Sequence, residues 1–89
     1  MNAWNVYDML AFVECAKLFG MTVHPATVDG TETSVTRPTA DPQAVSAIVF
    51  NRANGTVAQI GPDGARTALH PRQPQAWYSA LGITCNTER

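Results

Sequence analysis

Two turn signals constrain this chain more than anything else in it. Asn54-Gly55 and Asp63-Gly64 punctuate Ala44 to Leu69, AVSAIVFNRANGTVAQIGPDGARTAL. Asn-Gly and Asp-Gly between apolar runs are the strongest short hairpin signals, because a type I′ turn needs positive φ at both central residues. Ala47, Ile48, Val49 and Phe50 precede the first turn, and Thr56 to Ile60 follow it. Alternation sets Val57 and Gln59 on one face and Ala58 and Ile60 on the other. Pro62 suits the second position of a turn that leads into Asp63-Gly64. Ala65 to Leu69 then makes a third strand, so the stretch predicts a three-stranded meander.

A helix competes for part of this stretch. Asp41-Pro42 is a fair N-cap with Pro at the first helical position, and Gly55 fits a C-terminal cap. Val45, Ile48, Val49 and Arg52 then share one helical face over residues 42 to 53. The Ile-Val-Phe run favours the pleated alternative, and a short turn over Pro42 to Val45 can precede the strand.

Residues 3 to 19, AWNVYDMLAFVECAKLF, predict the first helix, with Asn2 as its cap and Gly20 as its stop. Val6, Met9, Leu10, Val13 and Ala16 form the stripe expected to face the sheet. Phe12, Cys15 and Phe19 form a second apolar stripe, and Trp4, Tyr7, Ala11 and Leu18 a third. A helix apolar nearly all round needs cover on more than one side, and a chain this short has little with which to supply it. A second chain is therefore expected over part of this helix, as a homodimer or with another protein.

Residues 21 to 37 predict a hairpin around Asp29-Gly30, with Pro25 confining its first strand to an edge or a bulge. Arg37 to Pro42 is a connecting loop, and His70 to Gln75 a proline-stiffened linker. Gln75 to Leu81 predicts a short helix ended by Gly82, after which Ile83 to Arg89 reads as irregular. The whole is one small α+β domain over residues 1–89. In it an N-terminal helix packs on an antiparallel sheet of about five strands, a hairpin plus the meander, and a short C-terminal helix follows.

Charged residues make up only 15% of the chain and the net charge is −1, which disfavours a general polyanion binder. The halves differ mildly. Residues 1–41 hold five acids against Lys17 and Arg37, and residues 42–89 hold four arginines against Asp63 and Glu88. The chain opens on Met1, shows no export leader and reads as a complete frame. No stretch is long and apolar enough to span a membrane. These points place it in the cytoplasm, with Cys15 and Cys85 as unlinked thiols.

Catalytic chemistry finds no foothold. Cys15, Cys85, His24 and His70 lie singly, without the paired spacing of a zinc site or a local nucleophile and base. No phosphate-binding glycine loop is present, so neither a metal nor a cofactor is expected, and the chain reads as non-enzymatic. Ala16-Lys17-Leu18-Phe19-Gly20-Met21-Thr22 resembles the turn of a helix-turn-helix, where an alanine precedes a glycine by four residues. Pro25 then falls where a recognition helix would run.

Protein binding remains as the principal reading. Trp, Tyr and Arg tend to dominate interfaces, and the candidate contact residues are Trp4, Tyr7, Phe12, Phe19, Arg52, Arg66, Arg72, Trp77 and Tyr78. Size and the lack of a catalytic grouping match the small blocking proteins that mobile elements such as phages direct at a host protein. The alternative is a nucleic-acid-binding or transcription-regulating protein, with Arg52, Arg66 and Arg72 on a sheet face that meets phosphates.

Overall fold

The computed structural model describes residues 3–24, 31–39 and 42–83. Helix α1 spans Val6–Leu18. Strands β1 (Thr22–His24), β2 (Glu32–Thr36), β3 (Ala47–Asn51), β4 (Val57–Ile60) and β5 (Arg66–Leu69) follow, and helix α2 covers Pro74–Leu81. The five strands form one antiparallel sheet in sequence order, β1-β2-β3-β4-β5. The α+β architecture expected from the sequence is present. The helical alternative over residues 42 to 53 gives way to β3, and β1 lies at a sheet edge. The expected Asp29-Gly30 turn and Pro25 lie outside the described residues, as does the tail after Ile83.

Helix α1 starts later than Asn2 would have it. Asn5 is the cap, and its side chain accepts from the Tyr7 N–H at 2.7 Å. Trp4 is therefore drawn out of the helix. At the other end Gly20 takes φ 81°. The Gly20 N–H donates to the Lys17 carbonyl and the Met21 N–H to the Ala16 carbonyl, each at 3.0 Å. This bond pair is the Schellman closure, which needs a left-handed residue where Gly20 stands.

Both predicted hairpin turns exist, but neither is type I′. No residue other than glycine has positive φ among the described residues, so Asn54 and Asp63 cannot occupy the positions that type I′ requires. Between β3 and β4 the loop runs over Arg52 to Gly55. The Asn51 side-chain oxygen accepts from the Ala53 and Asn54 N–H groups, and Gly55 takes φ 72°. Between β4 and β5 the Gly64 N–H donates to the Gly61 carbonyl across Pro62-Asp63, and Gly64 takes φ 90°. In each loop one glycine in the left-handed region turns the chain back into register.

Both helices lie on the same face of the sheet, α1 beside α2 and against β1, α2 over β3. That face carries Val35, Ile48, Phe50 and Val57. They join Phe12, Val13, Ala16, Trp77, Leu81 and Ile83 in the core. Rings hold the centre: Phe50 and Trp77 have centroids 5.0 Å apart, and Phe12 meets Phe50 at 5.7 Å and Trp77 at 6.0 Å. All three are fully buried. The residues that face inward are thus Met9, Phe12, Val13, Cys15 and Ala16; of the expected stripe Val6, Met9, Leu10, Val13 and Ala16, Val6 and Leu10 turn outward and Phe12 and Cys15 take their place. Val6 and Leu10 are each 49% exposed.

Cys15 is disulfide-bonded. This corrects the expectation of unlinked thiols. It also removes the support for a cytoplasmic location, since cytosolic thiols are normally kept reduced. No helix among the described residues is long and apolar enough to cross a membrane.

Candidate partner-binding surfaces

The sequence singled out nine contact residues, and the fold separates them. Phe12 and Trp77 are fully enclosed and so offer no surface. The Trp77 indole N–H donates to the His70 carbonyl at 3.1 Å, which anchors the linker that feeds α2. Trp4 is half-buried over one end of the core. Its ring meets Phe50 edge-on at 5.7 Å, and its indole N–H donates to the Asn51 carbonyl at 3.0 Å. Tyr78 is half-buried too, with its ring 5.1 Å from Phe12. Burial, and secondarily the Asp8 carboxylate, raise the Tyr78 phenol above its ordinary value.

Tyr7 and Phe19 remain at the surface, and the fold adds three residues that the sequence assigned to the sheet side or passed over. Val6, Tyr7, Leu10, Leu18 and Phe19 are all exposed large apolar side chains, and all belong to α1 or its C-cap. They gather near the two ends of the outer face. Between them sits the exposed pair Glu14–Lys17, at 3.3 Å, of a kind that contributes little to stability. Apolar spacing alone could not find this face, because the buried stripe has the same helical period.

The three candidate arginines leave the backbone at different ends of the sheet. Arg52 follows β3 and Arg72 follows β5, so both lie at one end of the sheet. Arg66 stands opposite Ile60 at the other end. The Arg66 guanidinium also pairs with Glu32 at 3.3 Å. Glu32 is on β2, so this bridge crosses β3 and β4 on the face without helices. Arg37, which the sequence left in a loop, ties two elements together. Its Nε donates to the Val45 carbonyl at 2.9 Å and its Nη2 to the Leu81 carbonyl at 2.8 Å. A cation on the last carbonyls of α2 also complements the helix dipole.

The two histidines serve local geometry. His24 Nε2 and Thr36 Oγ1 are hydrogen-bonded at 3.0 Å across β1 and β2. The His70 Nδ1 accepts from the Arg72 N–H at 3.0 Å. Among the described residues no group of three or more His, Cys, Asp or Glu is placed to hold a metal ion.

An open cleft of about 330 Å³ lies beyond the Leu69 end of β5. Ala3, the turn at Asn54 to Thr56, Val57, Leu69 and Pro71 are among its walls. No family model matches the chain, and neither a curated protein nor a solved structure matches it.

Proposed function

We propose that this chain acts without catalysis, as a protein-binding module whose contact surface is the outer face of α1. The observation that carries the reading is the group Val6, Tyr7, Leu10, Leu18 and Phe19, five exposed large apolar side chains on one helix and its cap. Large apolar side chains left exposed in two groups on one element, as here at either end of α1, are a feature of surfaces that other chains cover. The first occupant is a second copy. A two-fold axis through the middle of α1 sets Val6 and Tyr7 of one helix against Leu18 and Phe19 of the other, so the face complements itself. A blocking role against a host protein, as expected from size alone, would use the same face in its monomeric form.

The test is sedimentation equilibrium on wild type and Leu10→Asp over micromolar concentrations. The expected result is a dimer for wild type and a monomer, equally folded, for Leu10→Asp. A wild type that stays monomeric throughout would refute the second copy as occupant. The nucleic-acid alternative has less support, because the Arg66 guanidinium is engaged by Glu32.

A further inference from the structure

We propose that the β5 edge accepts an extended segment of a partner protein as an added strand, with one apolar side chain of that segment in the neighbouring cleft. This inference stands independently of the α1 face. It rests on two observations at the β5 edge, the hydrogen-bond parity of β5 and the cleft at its end.

Parity comes from the turn. The Gly61 N–H donates to the Ala65 carbonyl at 2.8 Å, which makes Gly61 and Ala65 a hydrogen-bonded pair. Antiparallel ladders alternate bonded and non-bonded pairs. From the register, Gln59 with Thr67 and Val57 with Leu69 are then the bonded pairs. Thr67 and Leu69 direct their backbone groups to β4, and Arg66 and Ala68 turn theirs away from the sheet. Arg66, Thr67 and Ala68 are all exposed. Edges are commonly guarded by proline, charged side chains or a bulge within the strand. Here the prolines stand outside it, in the turn before Gly64 and at Pro71, and the one charge within it, Arg66, is drawn across the helix-free face to Glu32. The edge thus offers two N–H groups and two carbonyls at strand spacing, the pattern that strand addition uses.

The cleft decides what kind of chain fits. It opens beside Leu69, is walled mainly by apolar atoms and measures about 330 Å³. The side chain that an added strand carries past Leu69 is the one placed to enter it. A second copy does not supply that group. Two-fold pairing that bonds Arg66 to the copy's Ala68 puts Thr67 on the axis. It then brings the copy's polar turn, Asp63-Gly64, toward the cleft. An unrelated extended segment with a large apolar residue fills the same space.

The experiment pans a phage-displayed library of random dodecapeptides on the full, disulfide-intact chain. The expected winners are proline-free and share one large apolar position. A synthetic winner should bind Ala68→Pro about tenfold or more weakly than wild type, since proline deletes one outward donor and adds ring bulk at the edge. In wild type it should slow amide exchange at Arg66 and Ala68. Failure to enrich any sequence, equal binding to Ala68→Pro, or protection confined to α1 would overturn the proposal. The last outcome would leave the α1 reading intact. Where circular dichroism finds Ala68→Pro unfolded, exchange in wild type decides: protection at Arg66 and Ala68 supports strand addition, and protection elsewhere refutes it.

Discussion

Gly55 and Gly64 form a natural pair for measuring how the N-terminal segment is held. Both glycines have positive φ, 72° and 90°. An L side chain in that region costs about 1–2 kcal/mol. Around Gly64 an added Cβ meets nothing within 4 Å, so Gly64→Ala should cost only that conformational amount. At Gly55 the same Cβ would stand 2.5 Å from the Ala3 Cβ and 2.9 Å from its Cα. Backbone must then move, and the segment that moves holds two hydrogen bonds. The Trp4 N–H donates to the Gly55 carbonyl at 3.3 Å and the Trp4 indole N–H to the Asn51 carbonyl at 3.0 Å. Losing both adds about 1–3 kcal/mol, before the loss of Trp4 packing on Phe50. Gly55→Ala should therefore cost about 2–5 kcal/mol in total, more than Gly64→Ala by about 1–3 kcal/mol, the contribution of the two lost bonds. Urea melts followed by circular dichroism and by tryptophan fluorescence measure both variants. Equal costs would show that residues 3 to 5 do not rest on the β3–β4 turn.

Three further outcomes check the core, the redox state and the titration of Tyr78. Phe12→Ala should cost about 3–5 kcal/mol in a denaturant melt, because Phe12 is fully buried among Phe50, Trp77 and Tyr78; a loss under about 1 kcal/mol would disprove the assigned inward face. Cys15 should resist alkylation until the protein is reduced, and peptide mass mapping of unreduced protein reads this directly; labelling without reductant would contradict the disulfide. Tyr78 has a raised pKa in the folded state, so folding favours its protonated form. Its contribution to stability is complete below the unfolded value of about 10 and is lost as pH rises through the folded value. Urea midpoints measured from pH 8 upward should thus fall less steeply for Tyr78→Phe than for wild type, and matching slopes would refute the shift.

The sheet was the most legible part of the molecule. Two Asx-Gly signals and the Ile-Val-Phe run located β3, β4 and β5, because turn chemistry is local. The turn types were not legible, since the extra loop residues and the Asn51 side-chain cap depend on how the strands register. Helix α1 was easy to place and hard to orient. With apolar residues on every side, the stripe Met9, Phe12, Val13 and Ala16 has the same period as the stripe led by Val6 and Leu10. What decides between them is tertiary: Phe12 can reach both Phe50 and Trp77. That choice makes Phe12 and Trp77 core residues and leaves Val6, Leu10 and Leu18 on the candidate surface beside Tyr7 and Phe19. Asn5 rather than Asn2 caps α1, since Trp4 lies outside the helix with its indole on the Asn51 carbonyl. Arg37 carried no sequence signal, because its partners at Val45 and Leu81 are distant in the chain.

The most direct test of the central claim is the concentration dependence of the backbone amide NMR spectrum. Raising the protein from low micromolar to millimolar concentration should shift or broaden the amides of Val6, Tyr7, Leu10, Leu18 and Phe19. Arg66 and Ala68 should stay unchanged, because the β5 edge is assigned to a different chain. A spectrum that does not change with concentration, or one whose changes are confined to the sheet, would contradict the account of α1 as the contact surface between copies.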